Sequence, residues 1–159
     1  MKLRVMFLFI ISLCLVSCAS QHATAPENLA GAYFVVFETL YENDPGLNSE
    51  INYIAADLTN IKLTDTAPLV ALLTDFCKGN GYVFLQDTYE GLVEKGYIHD
   101  FYFEEGVLIT FNDKELRHDK LVTSAEKWRS GLGAIGADYE VQLKNSSWEI
   151  TKTENMWIS

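Results

Sequence analysis

The sequence predicts an α+β fold with an N-terminal helix, one βαβ-like unit followed by a short helix, and a C-terminal antiparallel β-meander. Three observations support this fold class. Apolar residues recur at helical spacing early in the chain. Two short apolar runs then flank a second helical pattern, as the strands of a parallel crossover would. After residue 101, apolar and polar residues alternate in the manner of half-buried strands.

The first helix is expected to begin at about Pro26, because proline suits the first helical turn, with Thr24 as its cap. Five residues at helical spacing give it one broad apolar face: Leu29, Tyr33, Val36, Phe37 and Leu40. The Asn-Asp-Pro-Gly segment at residues 43–46 should end it, since all four residue types favour turns.

A parallel βαβ crossover is expected next. Residues 51–58 predict a buried strand, and Thr64 or Asp65 can cap a helix that runs to about Cys77. Residues 82–85 form a short apolar run between turn signals, which predicts the second strand.

A short helix follows the crossover, with Asp87 or Thr88 as its cap. Its spacing predicts that Tyr89, Leu92 and Val93 face inward.

The second half of the chain predicts four strands in a meander, at residues 101–111, 120–129, 137–144 and 148–153. Polar turns are expected at Asn112-Asp113 and at residues 144–146. The apolar tail, with Trp157 and Ile158, is expected to dock on the body; if exposed, the same residues would mark a partner site. Because no internal repeat or break in composition divides the chain, residues 26–159 are predicted to form a single α+β domain.

Three glycines, Gly131, Gly133 and Gly136, form the pattern G-x-G-x-x-G. A dinucleotide site needs that pattern to open a helix, because the helix N-terminus carries the pyrophosphate. Here residues 137–143 alternate like a strand. The context therefore indicates a glycine-rich bend or bulge between two strands, which could border a binding cleft.

The amino terminus has the three parts of an export signal: the basic Lys2 and Arg4, the apolar run 5–16, and the small Ser17. A membrane-spanning helix needs roughly 20 apolar residues, which is longer than this run. The signal ends in Leu-Val-Ser-Cys at residues 15–18, which resembles the lipobox of bacterial lipoproteins.

This resemblance implies that the thiol of Cys18 receives a diacylglyceryl group and that the chain is cut before it. Residues 1–17 would then be the signal peptide, and residues 18–25 the lipidated cysteine with its tether. The expected location is the cell envelope, at the outer face of the cell membrane, or at the outer membrane in a Gram-negative cell. Two or three acyl chains at Cys18 would give durable anchoring, which one chain alone does not.

The mature chain is expected to be strongly acidic. The whole sequence has 12 Lys and Arg against 22 Asp and Glu, a net charge of −10, and removal of the leader with Lys2 and Arg4 brings it to about −12. Polyphosphates are bound through cationic contacts, so this balance excludes nucleic acid as a partner. The membrane, through the lipid on Cys18, and an envelope protein are the partners that remain.

Other chemical motifs are weak. The histidines His22, His99 and His118 form no pair with ligand spacing, so the sequence predicts no metal and no cofactor. Cys77 lies in an apolar helical stretch and is expected to be a buried, unreactive thiol. Five groups could supply acid–base chemistry if the fold joined any two of them: His99, Glu104, Glu105, His118 and Asp138. No catalytic motif accompanies them, so an enzymatic role stays open but is not favoured.

The body of the chain carries a further resemblance. Residues 128–139, followed by a strand pair with Trp148 and Trp157, resemble the carboxyl end of small exported Gram-positive proteins that have no assigned activity. The helix-plus-meander order is similar to cystatin-like and NTF2-like domains, although the βαβ unit departs from that plan. Such folds often form a cone-shaped pocket, and fold alone does not choose a function.

Two functions are therefore expected. The leading one is a membrane-anchored, non-enzymatic domain that binds a protein or another envelope component. The alternative is a small-molecule carrier or envelope enzyme with a pocket between helices and sheet. Glycine-rich loops beside aromatic residues and an arginine can form recognition surfaces, which gives a candidate binding surface of Trp128, Arg129, Gly131, Gly133, Gly136 and Tyr139.

We expect Cys18→Ser to abolish lipid attachment, because a thioether cannot form without sulfur. The mass of the protein recovered from membranes and its partition into a detergent phase measure this. Cys14→Ser is the matched control, since Cys14 lies in the predicted leader. Retained acyl mass in the Cys18 variant would contradict the lipobox assignment.

Overall fold

The computed structural model describes residues 25–159, with side chains from residue 29 onward. The predicted signal peptide, Cys18 and the predicted cap Thr24 lie outside the described residues. Within them, the helical elements are α1 (Ala25–Glu42), a short 3-10 helix (Pro45–Asn48), α2 (Ala67–Gly79) and α3 (Tyr89–Glu94). The strands are β1 (Tyr53–Asp57), β2 (Val83–Gln86), β3 (Gly106–Arg117), β4 (Lys120–Ser130), β5 (Gly133–Lys144) and β6 (Ser147–Ile158).

The six strands form one mixed sheet in the order β2-β1-β3-β4-β5-β6. Strand β1 is parallel to both neighbours, β2 and β3, whereas β3 to β6 are antiparallel in sequence order. The predicted α+β class is therefore confirmed, together with its βαβ unit and C-terminal meander. Two-residue or similarly tight turns suffice for the meander, while the parallel pairs need the crossovers through α2 and α3.

Helices α1 and α2 cover one face of the sheet. Their buried residues Tyr33, Phe37 and Leu73 pack in one core with the inward residues of the strands. The side chains of a strand alternate between the two faces, so Ile54 and Ala56 of β1 join this core. This helix-covered face is called the inner face below.

Helix α3 lies on the opposite, outer face. Its Leu92 is fully buried and packs in a second, smaller core with Ala55 of β1 and Leu108 of β3. The Thr88 hydroxyl caps this helix by accepting a hydrogen bond from the Gly91 N–H. Of the two caps predicted, Asp87 and Thr88, the helix therefore uses Thr88. The expectation that Val93 faces inward is wrong, because it is 43% exposed on a helix of only six residues.

The predicted turn at Asn112-Asp113 is wrong, because both residues lie inside β3. The chain turns instead after Arg117, at residues 118–119. Asp113 points to the inner face, where its carboxylate accepts hydrogen bonds from the Tyr33 hydroxyl and, at 2.7 Å, from the Lys62 N–H. These partners offset the cost of burying a carboxylate, so a turn-forming residue is accommodated in a strand.

The other predicted strand limits also moved. Strand β3 begins at Gly106, not residue 101; β5 begins at Gly133, not residue 137; and β6 continues to Ile158, not residue 153. Backbone pairing determines these limits, since Ile135 pairs with Ile158 and Gly136 with Trp157 across β5 and β6. The tail therefore joins the sheet as an edge strand through its backbone, while the side chains of Trp157 and Ile158 stay 42% and 67% exposed.

Two cationic side chains on the inner face of β4, Lys127 and Arg129, hold the connection between α1 and β1. The Lys127 ammonium group is fully buried and donates to the carbonyl oxygens of Tyr41 at 3.2 Å, Asn43 at 2.5 Å and Asp44 at 3.1 Å. It also donates to the Asn48 side chain at 3.1 Å. These acceptors lie in the last turn of α1 and just after it, where the helix dipole favours a positive charge.

We expect Lys127→Met to lower the free energy of unfolding at pH 7 by about 2–4 kcal/mol, because it leaves buried carbonyl oxygens without a donor. Urea denaturation of the chain made without residues 1–18 measures this. Lys152→Met is the control, since Lys152 has a side chain 58% exposed and pairs with Glu154 at the surface. Its effect should stay below about 1 kcal/mol, and an equal loss in both variants would contradict the proposed role of Lys127.

The difference in stability between the wild-type protein and the Lys127→Met variant is expected to depend on pH. Burial lowers the pKa of Lys127 from its ordinary 10.5 to about 8 in the folded protein. The unfolded chain holds this proton more firmly, so the wild-type protein should gain stability over the methionine variant as pH rises from about 8 to 10.5. Below that window the difference should be constant.

Candidate binding groove on the sheet

Within residues 25–159, α3 is the only helix on the outer face of the sheet, and strands β3 to β6 form a shallow groove there. The groove combines a polar depression of about 440 Å³ and an apolar one of about 350 Å³, which share Thr110 and Glu126. We call it the sheet-face groove and define it by these residues: Asp57, Tyr89, Phe101, Leu108, Thr110, Asn112, Ser124, Glu126, Trp128, Gly131, Gly136, Asp138, Asn155 and Trp157.

The apolar end of the groove is built from aromatic side chains. Trp128 of β4 meets Tyr89 of α3 edge to face, with ring centroids 5.3 Å apart. Leu108, directly opposite Trp128 on β3, forms the floor. Phe101 stands at the rim and is 73% exposed. A small ligand or a partner side chain would find a largely apolar surface here.

The rim residue Phe101 is held in an unusual backbone conformation. Asp100 and Phe101 have φ angles of 49° and 60°, both in the left-handed region. That region costs a bulky residue roughly 1–2 kcal/mol. His99 and Tyr102 close the turn with two backbone hydrogen bonds, N–H to carbonyl, of 3.1 and 2.8 Å. The fold thus maintains an exposed phenylalanine on a strained turn, which is typical of positions retained for contact with a ligand.

The polar end of the groove contains a carboxylate with three partners. Asp138 accepts hydrogen bonds from the Ser124 hydroxyl and, at 2.7 Å, from the Asn155 amide, and it pairs with the Lys114 ammonium at 2.9 Å. The hydrogen bonds from Ser124, Lys114 and Asn155 lower the pKa of Asp138 to about 2. Asp138 is therefore a carboxylate throughout the physiological pH range.

Trp157 lies directly over Gly136. A Cβ atom built on Gly136 would lie 2.7 Å from two ring carbons of the Trp157 indole and 2.8 Å from its nitrogen. The absence of a side chain on Gly136 therefore leaves space for the ring, which extends from the edge strand β6 over β5. Trp157 stays 42% exposed, so its outer surface remains accessible to a ligand.

Glu126 lies at the centre of the groove and lines both depressions. It is opposite Gly136 in the pairing of β4 with β5, next to the Trp157 ring. Trp128 is two residues further along the same face of β4, roughly 6.6 Å away at the usual rise per residue. Within residues 25–159, the Glu126 carboxylate makes no hydrogen bond or ion pair.

The structure divides the predicted binding surface between the two faces of the sheet. Trp128 and Gly131 line the groove, and Gly136 lies beneath the Trp157 ring that lines it. Arg129 instead points inward and donates to the carbonyl oxygens of Leu47, Ser49 and Glu104 at 3.1, 2.8 and 2.6 Å. Arg129 is thus occupied in holding loops together.

Tyr139 and Gly133 do not belong to the groove either. Tyr139 is 1% exposed in the inner core, so its inclusion in a binding surface was wrong. A Cβ on Gly133 would meet Ser130 and Leu47 at 3.0 and 3.2 Å. The predicted bend is a two-residue turn at residues 131–132, and the other glycines lie in β5.

Glu126 and Thr110 were not predicted as groove residues, and Trp157 was predicted to mark a partner site only if the tail were exposed, as it is at 42%. The signal for Glu126 was available, because it lies two residues before Trp128 in an alternating strand and so shares its face. Trp157 could not be placed beside Glu126 without the pairing of β5 with β6.

A separate cavity of about 460 Å³ collects three of the predicted acid–base residues, His99, Glu104 and Glu105, together with Lys95 and Tyr102. The fold does not bring His118 to them. His118 lies on the β3–β4 turn with its side chain 79% exposed, 3.7 Å from Asp119. Asp138 is in the sheet-face groove.

Cys77 was predicted to carry a buried, unreactive thiol. Cys77 is fully buried on α2, and burial raises its pKa to about 11. Its thiol is therefore protonated at neutral pH and inaccessible, in agreement with the predicted unreactive role.

No protein-family model matches this chain, and the comparisons with curated proteins and with solved structures found no match either. Within residues 25–159, no three His, Cys, Asp or Glu side chains are grouped so that they could hold a metal ion. The helices of this same part of the chain are all too short or too polar to cross a membrane.

We expect Gly136→Ala to displace the Trp157 ring, because the new methyl group would occupy its place, and to cost about 1–2 kcal/mol of stability. Urea denaturation measures the cost, and iodide quenching of tryptophan fluorescence measures the exposure of the ring. Gly131→Ala is the control, since a Cβ there meets no atom within 4 Å. Unchanged quenching in the Gly136 variant would contradict the contact.

Proposed function

We propose that this chain is a membrane-anchored envelope lipoprotein whose domain binds an envelope protein, or another envelope component, through the sheet-face groove. The observation that supports binding is the uncovered outer face with accessible aromatic residues. Trp157 and Phe101 are 42% and 73% exposed on one continuous surface with Trp128.

These residue types are those that contribute most to binding. Aromatic residues are enriched in protein interfaces and supply a large share of their energy when a partner buries them. The inner face of the sheet is already filled by α1 and α2, with residues such as Tyr33, Phe37 and Leu73 fully buried. A partner is therefore expected on the outer face.

The paired carboxylate of the groove, Asp138, is not suited to act as a general acid near neutral pH. A carboxyl group that acts as a general acid near neutral pH needs a raised pKa. The groove has the opposite arrangement at Asp138, where three donors lower the pKa to about 2. Asp138 is held as a fixed anion and is suited to positioning a ligand.

The proposed anchor defines where the ligand must be. Only six residues lie between Cys18 and Ala25, where α1 begins, so the two positions are seven residue steps apart. Even fully extended, that length spans at most about 25 Å. A lipid on Cys18 would therefore keep the domain next to the membrane, and its partner would be a component of the same layer.

The cavity with His99 supports a second candidate function, a small-molecule carrier or envelope enzyme. It places an imidazole and the carboxylates of Glu104 and Glu105 around one space of about 460 Å³. That volume is within the range of small-molecule sites. A retained small ligand would be the mark of this function.

We expect a photo-crosslinking amino acid at position 101, on the rim of the groove, to capture a specific envelope protein in cells. The same group at position 72 is the control, because Leu72 is 37% exposed on α2, which covers the inner face. Mass spectrometry of the crosslinked product identifies the companion. Capture at 72 but not at 101 would contradict the groove as the binding surface.

Native mass spectrometry of the intact protein from membranes separates the two functions. A stoichiometric protein companion supports the binding domain. A retained small mass without a companion, lost in His99→Ala, would support the carrier or enzyme instead.

A further inference from the structure

We infer that the centre of the sheet-face groove is a subsite for a basic side chain, presented by an extended segment of an envelope protein. The inference rests on the proposed function and adds the chemistry of the partner. Its basis is the juxtaposition of an unpaired carboxylate, Glu126, with two indole rings, Trp128 and Trp157.

The two rings border the carboxylate on two sides. Trp128 is next to Glu126 along β4, on the same face of the strand. The Trp157 ring borders it across the sheet, because it lies over Gly136, the residue paired with Glu126. A cation placed above Glu126 would thus have an indole ring on each of two sides, and indole is the aromatic ring that attracts cations most strongly.

The charge of the groove favours a basic ligand. Asp57, Glu126 and Asp138 line its polar depression, and neither depression is lined by a lysine or an arginine among the described residues. Lys114, which pairs with Asp138, compensates only that carboxylate. Phosphate and carboxylate ligands would be repelled, whereas a guanidinium or ammonium group would neutralise Glu126.

The shape of the groove favours a chain over a small amine. The groove extends along β4 from Trp128 to Ser124, a rise of roughly 13 Å over four residues. A free amine would cover only the centre of this length. An extended segment would cover all of it, with an apolar side chain at the Trp128 and Phe101 end and the basic side chain two residues further, over Glu126.

The experiment uses the full lipidated protein in detergent micelles and two fluorescent eight-residue peptides. One peptide carries a phenylalanine and an arginine two positions apart, and the other has neutral citrulline in place of the arginine. Fluorescence anisotropy measures both affinities. We expect the arginine peptide to bind about tenfold more tightly to the wild-type protein.

Glu126→Gln should reduce this selectivity to less than about twofold, while the affinity for the citrulline peptide stays unchanged. Asp75→Asn is the control, because it removes one negative charge from an exposed position on α2, outside the groove. It should keep the selectivity. Near-ultraviolet circular dichroism verifies that each variant is folded.

Several outcomes would overturn the inference. These are equal binding of both peptides by the wild-type protein, selectivity that survives Glu126→Gln, and no binding of either peptide. They would leave the proposed function standing if position 101 still captures a companion in cells. Failure of that capture would count against the proposed function, whatever the peptides do.

Discussion

The structure depends on the two cations that β4 places on the inner face of the sheet. Lys127 and Arg129 donate to backbone carbonyl oxygens of residues 41–49, and Arg129 also reaches Glu104. These contacts fix the end of α1 and the loop after it against the middle of the sheet. A buried charge is tolerated only when such partners satisfy it, so the loop and the strand determine each other's position.

The same strand supplies the centre of the proposed site because its side chains alternate. Glu126 and Trp128 lie between the inward residues and therefore point to the outer face. The contacts of Lys127 and Arg129 attach β4 firmly on the inner face, and this holds Glu126 and Trp128 in place on the outer face. Positioning on a packed strand preserves the geometry of a site better than positioning on a mobile loop does. In this way the anchoring of α1 and the presentation of the groove are linked.

The edge of the sheet completes the groove. Strand β6 is an edge strand whose residues after Glu149 are largely exposed, and charged residues such as Lys152 and Glu154 reduce the tendency of such an edge to pair with other chains. Near its carboxyl end, β6 contacts β5 through the Trp157 ring, which lies over Gly136. The aromatic wall thus comes from the end of the chain and depends on one glycine in β5. The groove is assembled from residues as far as 100 positions apart, from Asp57 to Trp157.

The sequence by itself determined the α+β class, the βαβ unit, the meander and the inward face of α1, because these follow from local periodicity. It also determined the lipobox resemblance and the acidic charge, which stay the basis for the proposed location. It placed Trp128 in a candidate surface but included Arg129 and Tyr139, which point inward. Only the tertiary structure decided which strand face α1 and α2 cover, where Asp113 is accommodated, and that Trp157 lies beside Glu126. Those facts depend on strand pairing between distant segments, and local patterns do not specify that register.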